Sequence, residues 1–170
     1  LLQSAPARVV SLSSAGHGVS PVLLDDPNFE QTDYDPWVAY GQAKTANIWF
    51  ANELNRRYAQ RGINATALHP WVIMTDLSRH LTEETLAPVM ERLKERGEPT
   101  KTIPQGAATS VFAATAPELE GKGGLYLADC QVVNENSAAH IQYAPHAFNE
   151  ESEAQLWSLS EQLLGITFGG

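Results

Sequence analysis

Cysteine is almost missing from this sequence. Cys130 is the only one, so no internal disulfide can form and nothing points to an oxidising compartment. By residue type it reads as a small, buried, apolar group. Long apolar runs are missing too. None approaches the roughly 18 residues that span a bilayer, and no charged-then-apolar leader is present. The expectation is a soluble cytoplasmic protein with no membrane partner. Cations are scarce: 11 Lys and Arg stand against 20 Asp and Glu, a net charge of −9. That field repels nucleic acid and anionic membrane surfaces, while a few local cations could still hold a small anion. The histidines, His17, His69, His80, His140 and His146, lack metal-ligand spacing and have no cysteine cluster beside them, so no metal is expected. "SLSSAGH" supplies no GxSxG elbow, which argues against a hydrolase.

What remains is a chain of 170 residues, 43% hydrophobic, without repeats, low-complexity tracts or an internal linker. "ARVVSLSS" is a β-branched run ending in small polar residues, a buried strand over about Arg8–Ser13. Residues 15–36 carry Pro, Asp and Gly and form a loop. Asp33 or Asp35 can cap a helix that follows, with Pro36 in its first turn. From Trp37 to Arg61, Ala39, Ala43, Ala46, Phe50 and Leu54 make an apolar stripe, and Gly62 is placed to stop the helix. Trp37, Trp49 and Trp157 read as packing residues at helical positions. "INATALHP" is a second strand and "GGLYLADC" a third. "TEETLAPVMERLKERGEP" is an amphipathic helix, with Pro88 near a kink or boundary. "PQGAATSVFAATA" is a small-residue helix, and "NEESEAQLWSLSEQLLG" a final one, acidic where the helix dipole favours it.

Strands alternating with helices imply an α/β fold with a parallel sheet. Three strands are few for a sheet covered on both faces. "LLQSAPAR" reads as a helix tail, and there is no initiator Met. The expectation is a single partial domain over residues 1–170: the C-terminal half of a Rossmann-like doubly wound parallel sheet, about three strands with flanking helices.

Tyr40 and Lys44 lie one helical turn apart and so share a face. A free phenol titrates near 10 and transfers protons poorly at neutral pH. A neighbouring ammonium stabilises the phenolate, making such a tyrosine able to give a proton to an alkoxide or take one from an alcohol. A hydroxyl opposite would hold the substrate oxygen, and Ser13 or Ser14 could supply it. Ligands of open α/β sheets sit at the carboxyl ends of strands, where Ser14 and "HPWVIMTD" both fall. His17 could line the pocket mouth or be an exposed loop residue, and His69 reads as a strand-end packing residue.

"RVVSLSS", "YGQAK" and "HPWVIMTDL", in that order, resemble the C-terminal half of a short-chain dehydrogenase/reductase. The long separation of Ser14 from Tyr40, "KTAN" and "HP…TDL" are similar to the retinol-dehydrogenase-like and WW-domain-oxidoreductase-like branch. The resemblance implies hydride transfer between NAD or NADP and an alcohol/carbonyl pair. It implies Tyr40 as general acid/base and cofactor contact, Lys44 as its phenolate-stabilising neighbour and ribose ligand, and Ser14 as the residue that positions the substrate oxygen. Pro70, Ile73 and Thr75 match the segment against the nicotinamide carboxamide and neighbouring phosphate. Arg79 and His80 fall in the segment that resembles the substrate lid. Family members often form homo-oligomers.

Two departures stand out. The glycine-rich turn that binds pyrophosphate has no counterpart here, since "GKGG" precedes a strand instead of following one. This chain alone is therefore expected to bind a nicotinamide cofactor weakly. The alternative reading is a truncated, inactive, dehydrogenase-like binding or interaction protein. Second, Trp71 stands where the family usually has Gly. Its indole must swing outward or crowd the cofactor.

Overall fold

A computed structural model describes residues 1–76 and 82–168. Three parallel strands form the sheet: β1 (Ala7–Leu12), β2 (Ile63–Leu68) and β3 (Leu125–Ala128). β1 and β2 run in register from Ala7 opposite Ile63 to Leu12 opposite Leu68. Their carboxyl ends therefore lie side by side. The expected three strands are present, and the sheet gains a fourth. β4 (Gln131–Val132) pairs antiparallel with β3, so the sheet is mixed, in the order β1-β2-β3-β4. The added strand comes from a two-residue hairpin turn, Asp129 (φ 50°) and Cys130 (φ 54°), both in the left-handed region that such turns use. That turn exposes Cys130, against the expectation of burial.

Between β1 and β2 runs α1 (Pro36–Tyr58), extended by a 3-10 turn, Ala59–Arg61, and stopped at Gly62 (φ 80°). Asp35 is its cap: the carboxylate accepts from the backbone N–H of Trp37 (2.8 Å) and of Val38 (2.9 Å), worth about 1 kcal/mol. α2 (Glu83–Glu95) and α3 (Ile103–Thr115) join β2 to β3, and α4 (Glu150–Leu164) closes the chain. Pro88 lies inside α2 and does not end it. No described helix is long and apolar enough to cross a membrane.

The core lies between α1 and the sheet, where Ile48, Ala51, Ile63, Ala65, Ala67 and Tyr126 are buried with Ile141 and Trp157. The expected apolar stripe of α1 is only partly its buried face: Leu54 is in the core, Ala39 and Ala46 are half-buried, and Ala43 and Phe50 are exposed. Burial follows Gly41, Thr45, Ile48 and Asn52 instead. Polar side chains sit on that face because each has a partner inside. Thr45 donates to the Ser20 carbonyl (2.7 Å), and Asn52 donates to Glu153 of α4 (2.7 Å).

Candidate active site

The end of β1 is stitched to α1. Ser11 Oγ donates to the Asn47 carbonyl (2.8 Å), Asn47 Nδ2 to the Leu12 carbonyl (2.9 Å), and Ser13 Oγ to the Lys44 carbonyl (2.7 Å). Ser13 is occupied in this way and is buried, so it is not the free hydroxyl of the pair. Ser14 is. It opens a 3-10 turn, Ala15–Val19, within the stretch expected to be loop, and its Oγ accepts from the Gly16 N–H (3.0 Å). That bond occupies a lone pair and leaves the Ser14 hydroxyl hydrogen free to donate.

Two glycines let Tyr40 reach Ser14. A Cβ on Gly16 would stand 2.6 Å from Tyr40 Cε1 and 3.4 Å from Ser14 Oγ. Gly16 is thus the point where the phenol ring and the serine hydroxyl converge. A Cβ on Gly41 would meet the Ser20 N and the Gly16 carbonyl at 3.0 and 3.1 Å, so only Gly lets α1 lie this close to the turn. Neither glycine is singled out by the reactive-residue pattern. Their signal in the sequence is position: one follows Tyr40 directly, the other follows Ser14 by two.

Lys44 lies beside Tyr40 as one helical turn requires, with Nζ 5.5 Å from the ring centroid. Tyr40 is 38% exposed, so a ligand can reach it. Among the described residues, neither the Lys44 ammonium nor the Tyr40 hydroxyl has an ion-pair or hydrogen-bond partner. Three unoccupied donors, Ser14, Tyr40 and Lys44, thus gather at the carboxyl end of β1. That set fits the oxygen of an alcohol or carbonyl together with a ribose hydroxyl.

Pro70, Ile73 and Thr75 leave the sheet at the same edge, after β2. The Ser13 N–H donates to the Leu68 carbonyl (2.7 Å), which fixes the two strand ends together. Ile73 forms a parallel bridge with Lys101 and packs against Gly106 at the start of α3. Arg79 and His80 lie outside the described residues.

Trp71 has φ 71°, in the left-handed region where glycine costs nothing. Its indole Nε1 donates to the Pro99 carbonyl (3.2 Å), and its ring lies 5.3 Å from that of His140 and 5.9 Å from that of His69. The side chain is thus turned onto the segment returning from α2 and onto the loop before α4.

His17 is neither a pocket-mouth nor an exposed residue. It is 1% exposed, because the turn folds its ring under Ser14. Nδ1 lies 2.6 Å from the Ser14 carbonyl, and Nε2 is 2.9 Å from the Ala144 N–H. Burial, with His146 nearby, holds its pKa below the ordinary histidine value despite the bond to Ser14. His69 packs at the strand end as expected and also bonds through Nδ1 to the Tyr126 hydroxyl (2.9 Å). Burial first, then the other histidines and Lys101, lower its pKa to about 4, Asp129 opposing. Among the described residues, its buried Nε2 has no partner. The Tyr126 hydroxyl also lies 3.3 Å from His17 Nδ1, and burial raises the Tyr126 pKa. The sequence gives no sign of this His–Tyr–His contact, since its members are 109 and 57 residues apart.

A mixed α/β sheet that gathers serine, tyrosine and lysine at the carboxyl ends of its parallel strands defines a class, the Rossmann-like proteins with a Ser-Tyr-Lys cluster. No family model matches the chain. It is 45% identical over 170 residues to the short-chain dehydrogenase/reductase prx1 of Penicillium roqueforti, covering 95% of this chain and 48% of that protein. It is 37% identical over 177 residues to the WW domain-containing oxidoreductase of Homo sapiens, covering 99% and 40%. A crystal structure of an uncharacterised protein from Mycobacterium paratuberculosis superposes with a TM-score of 0.66 at 26% identity, over 100% of this chain and 55% of that one. The chain belongs to the short-chain dehydrogenase/reductase family. It spans about half the length of the curated relatives it matches.

Proposed function

We propose that this chain carries the proton-transfer site of a nicotinamide-dependent oxidoreductase acting on an alcohol/carbonyl pair. The observation that carries the reading is the convergence of the Tyr40 ring and the Ser14 hydroxyl at Gly16, with the Lys44 ammonium beside the ring. Bound NAD or NADP supplies the hydride chemistry. Ser14 donates to the substrate oxygen and holds it. Tyr40 gives that oxygen a proton in reduction, or removes one in oxidation. Lys44 stabilises the phenolate and offers its ammonium to the ribose hydroxyls. Pro70, Ile73 and Thr75 would hold the nicotinamide. The reading covers NAD and NADP alike, with an alcohol or a carbonyl compound as substrate.

The test is a chimera joining this chain to the N-terminal half of the Penicillium roqueforti relative. Tyr40→Phe is expected to lower kcat by about 10²–10⁴-fold while leaving cofactor binding intact, the range for loss of a positioned acid/base. Turnover within about threefold of the parent would overturn the assignment, since that is far below any acid/base contribution. For the 170-residue chain alone, titration with NADPH followed by fluorescence is expected to show no micromolar saturation.

A further inference from the structure

We propose that His17 is a positioning residue: as a neutral ring with its proton on Nδ1, it clamps the Ser14 carbonyl to the Ala144 amide and so fixes the Ser14 turn against Tyr40. The proposal rests on reading Ser14 and Tyr40 as the groups that meet the substrate. The protonation follows from the partners. A backbone N–H can only donate, so Nε2, 2.9 Å from the Ala144 nitrogen, must be the bare acceptor. A carbonyl can only accept, so Nδ1, 2.6 Å from the Ser14 oxygen, must carry the hydrogen. A second proton on Nε2 would face the Ala144 N–H, and the ring is buried from solvent. The tautomer is thus set from both sides.

The clamp spans the site. The Ser14 carbonyl belongs to the residue whose hydroxyl faces Tyr40, and the His17 N–H donates to it as well (3.1 Å). Ala144 lies 127 residues further on, in the loop leading to α4. The His17 carbonyl accepts from His146 Nε2 (2.9 Å) and lies 3.2 Å from Thr45 Oγ1 of α1, one residue beyond Lys44, whose single hydrogen goes chiefly to the nearer Ser20 carbonyl. The buried ring therefore ties the Ser14 end of β1 to Ala144, and the backbone carbonyl of the same residue reaches His146 and lies beside Thr45 of α1. A ring that only filled space would not need either nitrogen.

Two substitutions separate these roles on the 170-residue chain. Asparagine places an N–H where Nδ1 lies and keeps the bond to Ser14. Glutamine places its amide where Nε2 lies and keeps only Ala144. In ¹⁵N-labelled protein at pH 7, His17 is expected to show a protonated Nδ1 and a bare Nε2. A nuclear Overhauser contact between Gly16 Hα and the Tyr40 ring is expected in the parent and in His17→Asn, and lost in His17→Gln. The Ala144 amide should exchange about tenfold faster in His17→Asn, as loss of one hydrogen bond implies. A proton on Nε2, a doubly protonated ring, a Gly16–Tyr40 contact of parental strength in His17→Gln, or its loss in His17→Asn each overturns the proposal. The tautomer is read on the parent, so it remains decisive even if a variant fails to fold. None of these readouts needs turnover, so an inactive chimera would sink the proposed function and leave the role of His17 decided.

Discussion

The two strand ends that flank the candidate site are built to different standards. At the end of β1, Ser11, Ser13, Asn47 and Thr45 each bond across to the neighbouring backbone, and both His17 nitrogens are used. At the end of β2, Trp71 holds a left-handed backbone, His69 Nε2 is buried with no partner among the described residues, and Ile73 bridges to Lys101. The satisfied end carries the serine turn and faces the tyrosine. The unsatisfied end carries the segment matched to the nicotinamide. An unmade bond or a strained backbone persists where the surrounding structure over-determines it, and such places gather at ligand sites. Satisfied bonds are concentrated at the end of β1, beside Ser14, and the left-handed backbone lies at the end of β2.

The largest effect that separates the two ends is acid sensitivity at His69. The ring is buried neutral with its pKa lowered to about 4, whereas an unfolded histidine titrates near 6.5. Below 6.5 the unfolded chain binds a proton that the native one refuses, so stability is full above pH 6.5 and falls as pH drops toward 4. The loss over that window is roughly 3 kcal/mol. His17, also lowered, adds in the same direction. Asp26 and Asp129 are lowered below the ordinary carboxylate value of 3.8 and act at lower pH. Urea unfolding at pH 7 and pH 4.5 should show this loss in the parent and a clearly smaller one in His69→Asn. Parallel losses in both proteins would mean that His69 is not held neutral.

Gly16→Ala comes next and strikes the satisfied end. Its Cβ would fall 2.6 Å from Tyr40 Cε1, so the ring must move. The ring is partly exposed and Gly16 has an ordinary backbone, so the move costs little stability, within about 0.5 kcal/mol. It displaces Tyr40 from Ser14, and under the proposed function a misplacement on the order of 1 Å lowers turnover about 10²-fold. In the chimera, kcat should fall by that factor with the melting temperature almost unchanged. Full activity would show that Tyr40 and Ser14 need not converge at Gly16.

Much of this fold is legible in the residues. The β-branched run of β1, the cap at Asp35 and the stop at Gly62 act through neighbouring backbone, so spacing reveals them. The Tyr40–Lys44 pair is legible for the same reason, since four residues on a helix fix a shared face. What the pattern misreads depends on distant partners. The buried face of α1 runs through Thr45 and Asn52 because Ser20 and Glu153 receive them, and no local period encodes that. His17 looks like a loop residue until Ala144 is brought beside it. β4 hides because two residues and a turn carry no periodic signal, and with it the exposure of Cys130.

The smallest effect is the most informative about the β2 end. The left-handed backbone of Trp71 costs about 1 kcal/mol, and its indole offsets this by resting against His140 and bonding to Pro99. Trp71→Ala removes the indole and keeps the strain, whereas Trp71→Gly removes both. Gly should therefore be the more stable of the two by about 1 kcal/mol in urea unfolding, with neither far from the parent. Equal stability of Gly and Ala would show that the backbone is not strained there. The same pair addresses the cofactor. Because the indole is turned onto Pro99 and His140, its removal should change the NADPH dissociation constant of the chimera by less than about threefold, under about 0.7 kcal/mol. A tenfold tightening in both variants would place the indole across the nicotinamide site. The tolerance of tryptophan at a glycine position would then be a feature of the ligand-free chain alone.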